Sequence, residues 1–455
     1  MRHISMMALG ATIGVGLFLG SATAIRMAGP AVVLTYCIGG LAIFMIMRAL
    51  GEIAIREPVA GSFSRYAHKY LGPLSGYLTG WNYWLLWLVT CMAEITAVGI
   101  YMAIWFPDAP PWYWAAIATA FIAAANLLTV KAYGEFEFWF ALIKVATILL
   151  MIAGGAAMIL FGIGNHGVAL GLSNLWQHGG FMPHGLTGVL MSLQMVMYAY
   201  LGIEMLGLTA GEAQDPRRAL ARAIDTVFWR ILFFYVGSLV VILALYPWNE
   251  IGTRGSPFVL TFEHFGIPAA AGLINFVVLT AALSSCNSGI FSAGRMLFNL
   301  AQQDQAPKVF ARVSTRGVPV AAVTMSIVAL SVGVLLNYVT PKAVFVWLTA
   351  IATFCAIWTW AIILLTQLAF RRQLSADQLA AVSHRMPFWP WSNYLTLAFL
   401  GFVVALMAWF PDTRIALIIG PAWLIFLVIA YPLTGDSKRD RKDASIGLED
   451  EIKVE

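Results

Sequence analysis

Gly10-Ala11-Thr12-Ile13-Gly14-Val15-Gly16-Leu17-Phe18-Leu19-Gly20 decides the fold: an apolar run long enough to enter a membrane carries four glycines in eleven residues. A helix in hydrocarbon must satisfy its own backbone groups, and glycine releases the chain from helical geometry more readily than any other residue. Close helix packing of the G-x-x-x-G kind accounts for Gly16 and Gly20. It does not call for Gly14-Val15-Gly16. The stretch reads as a first span interrupted near its middle.

The remainder of the chain supplies the setting. Its 455 residues are 60% hydrophobic and 11% charged, with a mean hydropathy of +0.81, whereas soluble domains carry roughly 25% charged residues. Taking about 20 apolar residues per span, helices fall near 6–27, 31–50, 76–104, 112–130, 138–162 and 186–209, then 224–246, 268–297, 318–338, 342–368, 391–410 and 414–433. The expected fold is an all-α polytopic membrane protein of about twelve transmembrane helices. No cleavable signal peptide is visible. Only Arg2 and His3 precede the first apolar run, so a truncated or misassigned start is a reading the sequence leaves open.

Positive charge orients the set. Of the 27 Lys and Arg, four (Arg26, Arg254, Lys342 and Arg414) fall in one set of loops and Lys144 falls in a span, leaving 22 on the other side. Those 22 include Arg48, Arg56, Arg65, Lys69, Arg217, Arg218, Arg222, Lys308, Arg312, Arg316, Arg371 and Arg372, with the run Lys438-Arg439-Asp440-Arg441-Lys442. Both termini are therefore expected in the cytoplasm, and the tail over 434–455 reads as a solvated extension. Because the basic loops alternate regularly with spans, they report topology, and no nucleic-acid partner is expected.

The sixth span offers a counterpart to the first in Tyr198-Ala199-Tyr200-Leu201-Gly202-Ile203-Glu204, a glycine and an ionisable residue at membrane depth. First and sixth are equivalent positions if ten helices form two halves of five. Paired interruptions of this kind mark the binding site of carriers built from inverted repeats. On that reading the first repeat covers 1–163, the second 164–370, two further helices 371–433 and the tail 434–455. The open N-terminal end of a half-helix holds a carboxylate, and the open C-terminal end presents carbonyls to an ammonium. Two such ends together read an α-amino acid without a fixed side-chain charge.

Three ionisable residues lie within spans, where their burial costs most and is usually functional. Lys144 is about seven residues into its span, roughly 10 Å deep at 1.5 Å per residue, near the limit of snorkelling to an interface. Withdrawn from water, a lysine is a proton-exchanging group, and it could also stand in for a bound cation by donating to loosened carbonyls of the first span. Glu204 is a proton carrier or a structural acceptor. Glu94 is a helix–helix hydrogen-bonding group or a further proton site. Cys37, Cys91, Cys286 and Cys355 sit in apolar runs without a C-x-x-C pair and read as small buried packing residues.

Other classes fit less well. There is no G-x-x-x-x-G-K-[ST] phosphate loop, no histidine spacing suited to a metal, and no intramembrane histidine to serve a hydrolase. Neither an enzyme, a catalytic residue nor a metal site is expected. A channel draws on rings of carbonyls or charges from repeated subunits, whereas two non-identical broken helices in one chain suit alternating access.

Several strings together carry a specific likeness. They are Arg2-His3-Ile4 with Gly14-Val15-Gly16-Leu17-Phe18, Arg48-Ala49-Leu50-Gly51-Glu52 with Gly61-Ser62-Phe63-Ser64, and Gly80-Trp81-Asn82-Tyr83-Trp84. Glu137-Phe138-Trp139-Phe140 ahead of Lys144, Gly202-Ile203-Glu204 continuing to Thr209-Ala210-Gly211-Glu212-Ala213, Asn287-Ser288 and Arg295-Met296-Leu297 complete them. From about residue 2 to 435 the chain resembles the bacterial amino-acid permeases of the amino acid–polyamine–organocation superfamily. The resemblance implies a LeuT-like fold of five plus five inverted helices with two more, helices 1 and 6 broken, and proton-coupled import of an amino acid through the bacterial inner membrane. It implies that Gly14, Val15 and Gly16 cradle the substrate carboxylate, that Ile13 offers a carbonyl to the amino group, and that Tyr198 lids the substrate, with Ala199, Leu201 and Gly202 beside it. Lys144 matches a lysine linked to proton coupling. Leu201 departs from the pattern, standing where several relatives have a second glycine.

Among subgroups, Ser192-Leu193-Gln194-Met195-Val196-Met197 and Tyr246-Pro247-Trp248-Asn249 point toward proline-specific permeases. Permeases for histidine, aromatic amino acids and γ-aminobutyrate share the scaffold, and an exchanger uses the same breaks as a symporter. Side-chain selectivity is expected from Ser284, Ser285 and Asn287. No cofactor beyond the coupling proton and no obligatory protein partner is expected.

Overall fold

The computed structural model describes residues 13–436 apart from 60, 129, 164–165, 206, 208–215, 252–255, 265–267, 316, 342, 381 and 383. The expected helical stretch before Ile13, the string Thr209–Ala213 and the tail from 437 lie outside the described residues. Among the described residues all regular structure is helical.

The first span, α1, covers 16–28 and opens as a π-helical turn, Gly16–Gly20, that runs into Ser21–Ala28. After it come α2 (Val32–Arg56), α3 (Ser62–Leu71), α4 (Pro73–Met102), α5 (Pro111–Leu128), α6 (Val130–Phe161) and α7 (Gly185–Ala199). Then follow α8 (216–245, with a π-helical stretch at Ile231–Gly237), α9 (Pro257–His264), α10 (Pro268–Gln302), α11 (Val320–Val339), α12 (Val344–Arg372), α13 (Trp391–Trp409) and α14 (Arg414–Ala430). Several start on proline, whose fixed φ suits a first helical position and whose missing N–H is one the helix leaves unpaired there.

Nine stretches among the described residues are long and apolar enough to cross a membrane, and one of them, Gly16–Arg56, contains both α1 and α2. With α5 and α7 at the fourth and sixth positions the count reaches twelve. The edges differ where side chains answer for polar ends. Hydropathy ends the second span at residue 50, but α2 continues to Arg56 because its polar last turns are taken up by protein partners. The fifth helix begins at Val130 rather than 138. The sixth stops at Ala199 rather than 209, because the chain turns there. Helices α3 and α9 fall outside the expected spans, each being too short to cross a membrane. Cys37 faces outward, contrary to expectation, while Cys91, Cys286 and Cys355 are buried.

Helix packing follows a pairing rule. The first span packs on the sixth (α1 on α7), the second on the seventh (α2 on α8), the third on the eighth (α4 on α10) and the fourth on the ninth (α5 on α11). Contact of α4 with α12 is mirrored by that of α10 with α6. A two-fold axis between the halves would produce such a pattern, because each helix near it would meet its own mate. The longest buried helices, α4 and α10, form the centre.

At one end of the bundle a buried ion pair ties α2 to α12. Glu52 is 1% exposed and Arg371 9%. Arg371 donates from Nε to Glu52 Oε1 and from Nη2 to Oε2 at 2.9 Å. Gln367 Nε2 (3.1 Å) and the Met386 N–H (2.7 Å) complete the carboxylate's shell. Asn393 of α13 then donates to Gln367 Oε1 at 2.9 Å. Removing one partner of such a pair strands a charge in low dielectric, at a cost of about 3–5 kcal/mol. Glu52→Ala should therefore lower the thermal unfolding midpoint of the detergent-purified protein clearly. An unchanged midpoint would show that Arg371 finds another partner.

Candidate functional site

Helix α1 begins inside the protein. Ile13 and Gly14 are buried and non-helical, and the first turn closes through Leu17 N–H and Phe18 N–H donating to Gly14 O at 3.2 and 3.4 Å. The N–H of Val15, which no carbonyl of its own helix can reach, donates to Glu94 Oε1 of α4 at 3.4 Å. The wide π turn frees carbonyls as well, and hydroxyls take them: Ser256 donates to Phe18 O at 2.6 Å and Ser21 to Leu17 O. Phe258 of α9 packs edge-on against Phe18, with ring centroids 4.7 Å apart. The short helix missed in sequence thus closes over the break.

The sixth span breaks at the same place. Helix α7 ends at Ala199, and the chain turns through 200–204, with Gly202 at φ 91°, a conformation glycine adopts without strain. Tyr200 anchors the turn, donating its hydroxyl to Tyr36 O at 2.7 Å and packing on Tyr235. The two breaks abut. A Cβ built on Gly16 would stand 2.6 Å from Ala199 Cα and 3.3 Å from Tyr198 O, so the half-helices meet backbone to backbone at Gly16. Leu201 lies in the turn and is 7% exposed.

Charge gathers around this junction. A Cβ on Gly14 would stand 2.6 Å from Glu94 Oε1 and 2.8 Å from Ser285 Oγ; the glycine makes room for a carboxylate and a hydroxyl. Lys144 of α6 is completely buried and interacts electrostatically with Glu94. Burial rules out the snorkelling reading, since a lysine reaching the interface would expose its ammonium. Glu94 Oε2 and the hydroxyls of Tyr198 and Tyr101 have no hydrogen-bond partner among the described residues, and both phenols lie within electrostatic range of Glu94. Each such atom left unpaired costs about 1–3 kcal/mol. Three around one junction fit a polar ligand that would satisfy them.

The remaining candidates separate into groups. Glu204 ends the turn, completely buried, accepting from Trp360 Nε1 of α12 at 3.2 Å, with Tyr83 of α4 beside it. Ser285, rather than its fully buried neighbour Ser284, reaches Gly14. Asn287 faces α5, its Oδ1 accepting from Asn126 Nδ2 at 2.8 Å. Tyr101, Tyr83 and Trp360 had not been singled out as site residues. Apolar runs rich in aromatics hide such positions, although Tyr83 stood within the Gly80–Trp84 string.

Substitution at the contact point tests this geometry independently of any ligand. Gly16→Ala forces the breaks apart and should destabilise the protein by about 1–3 kcal/mol. Gly401→Ala in α13, where an added Cβ meets nothing within 4 Å, should leave the unfolding midpoint unchanged or raise it slightly. Equal midpoints for the two variants would contradict the close approach.

Comparison with known proteins agrees with this architecture. Residues 3–444 match the family described as amino acid permease. An uncharacterized amino acid permease of Bacillus subtilis, YtnA, is 64% identical over 444 residues, covering 98% of this chain and 96% of that protein. A probable threonine/serine transporter of the same organism, YbxG, is 50% identical over 96% of this chain and 95% of its own length. The amino-acid permease AapA is 45% identical over 94% of this chain and 93% of its own. The chain belongs to the amino acid permease family.

Proposed function

We propose that this permease imports a small neutral α-amino acid together with a proton, by alternating access around the junction of α1 and α7. The observation that carries the reading is the buried cluster at the start of α1. There an open helix N-terminus, the Glu94 carboxylate and the Lys144 ammonium meet beside the end of a second broken helix. The helix start supplies a seat for the substrate carboxylate, and the turn after Ala199 supplies carbonyls for its ammonium. Lys144, Glu94 and Glu204 are the groups able to carry a proton through the cycle. Their burial supports such a role, because intramembrane ionisable groups are expensive to keep.

The membrane is the bacterial cytoplasmic membrane and both termini face the cytoplasm, on the strength of the Lys/Arg asymmetry. The geometry is consistent with one basic end: Arg48 donates to Arg385 O at 2.7 Å and Arg56 to Gln378 O at 3.0 Å, beside the Glu52–Arg371 pair.

Two substrate readings stand. Sequence strings favour proline. The hydroxyls of Tyr101 and Tyr198, without a hydrogen-bond partner among the described residues, favour a side chain with its own hydroxyl, and the relative named as a probable threonine/serine transporter agrees with that. Serine and threonine are therefore the first substrates to try, and proline the second.

Reconstitution in proteoliposomes tests the function. With an inward proton gradient, labelled threonine, serine or proline should accumulate, and an uncoupler should abolish the accumulation. Lys144→Ala should lose accumulation while retaining binding. Full gradient-driven uptake by that variant would remove Lys144 from the coupling, and uncoupler-resistant uptake dependent on internal amino acid would favour an exchanger.

A further inference from the structure

We infer that Glu94 is a tethered competitor of the substrate: its carboxylate holds the place of the substrate's own carboxylate at the start of α1, and the amino acid enters as Glu94 takes up a proton and leaves the Val15 N–H. This rests on the reading of the chain as an α-amino-acid carrier.

The seat is already taken by protein. Val15 N–H donates to Glu94 Oε1 at 3.4 Å, and the side-chain-free Gly14 lets that oxygen press against the opened backbone. The partial positive end of one helix favours one anion. A second carboxylate brought to the same N–H would lie within a few ångströms of the first, out of water, where like charges repel strongly. One negative charge has to go, and adding a proton to Glu94 removes it without removing the side chain.

The surroundings suit the exchange. Glu94 is faced by Lys144 from α6, Ser285 from α10, Tyr198 from α7, and Tyr101 and Cys91 from α4 itself, with Cys286 of α10 against Cys91. The Tyr101 and Tyr198 hydroxyls, within electrostatic range of Glu94 and without a hydrogen-bond partner among the described residues, are the acceptors to which the protonated side chain would turn as it leaves the Val15 N–H. The competing possibility is that the displaced carboxylate stays charged and moves onto Lys144. The two differ in proton balance. Protonation couples one proton to each substrate bound, whereas a swing to Lys144 couples none.

The sign follows from linkage. If the substrate-bound state holds one more proton than the free state, affinity must fall as pH rises, by up to about tenfold per pH unit. Calorimetric titration of the purified protein with L-threonine, L-serine and L-proline, in two buffers of different protonation enthalpy, counts the protons on the wild type. The expected result is uptake of about one proton per substrate and a dissociation constant that rises with pH. Glu94→Gln keeps an oxygen for the Val15 N–H but no charge, so it should bind without proton uptake and with a flat pH dependence. Wild-type binding without proton uptake would overturn the inference while leaving the carrier reading intact. Proton uptake that survives Glu94→Gln would overturn it too. Failure of all three amino acids to bind at any pH would overturn the carrier reading and this inference together.

Discussion

A backbone N–H exposed to hydrocarbon has no solvent to bond, so every interruption of a membrane helix must be closed by the protein itself. That constraint organises the centre of this permease. Two spans are interrupted side by side, and side chains meet freed groups of the first: Val15 N–H by Glu94, Phe18 O by Ser256, Leu17 O by Ser21. Tyr200 ties the second break to Tyr36. Gly16 lets the two half-helices touch backbone to backbone. Closure by side chains, unlike closure by a continuous helix, can be undone and remade by a ligand that offers the same groups.

Two buried carboxylates illustrate the difference between holding and working. Glu52 is surrounded by Arg371, Gln367 and the Met386 N–H, with both oxygens bonded; it fixes α2 against α12 and has nothing left to offer. Glu94 is buried to a similar degree, yet one oxygen and two neighbouring phenols have no hydrogen-bond partner among the described residues. A fully satisfied ion pair stabilises one conformation, and it loses heavily when either member is removed. An incompletely satisfied cluster leaves polar atoms that a ligand would pair, which is what distinguishes Glu94 from Glu52.

Much of this was legible in the chain. Hydropathy located the spans, because an apolar run of that length has to leave water, but it misplaced edges such as the start of the fifth helix and the end of the sixth. The glycines of Gly14–Gly16 and Gly202 marked the breaks, since unforced glycine is costly in a span. What composition could not show was partnership. That Ser285 rather than Ser284 turns to Gly14, that Asn287 faces Asn126, and that Tyr101 joins Tyr198 near Glu94 depend on helix rotation, which the near-uniform hydrophobicity of α4 and α10 conceals. Arg56 at the end of α2 escaped for a related reason: its solvation is supplied by protein, here Gln378 O. Helix α9 escaped because a closure over a break needs no more than two turns.

Coupling of amino-acid entry to proton entry is the claim on which the account stands, and substrate-driven proton flow measures it most directly. Proteoliposomes holding the purified protein and a pH-sensitive dye inside, with no imposed pH gradient, would be given an inward gradient of threonine, serine or proline, with a potassium ionophore to dissipate any membrane potential. The account predicts that the lumen acidifies as the amino acid enters, at a fixed ratio of protons to substrate. Entry of labelled amino acid with an unchanged luminal pH would contradict it.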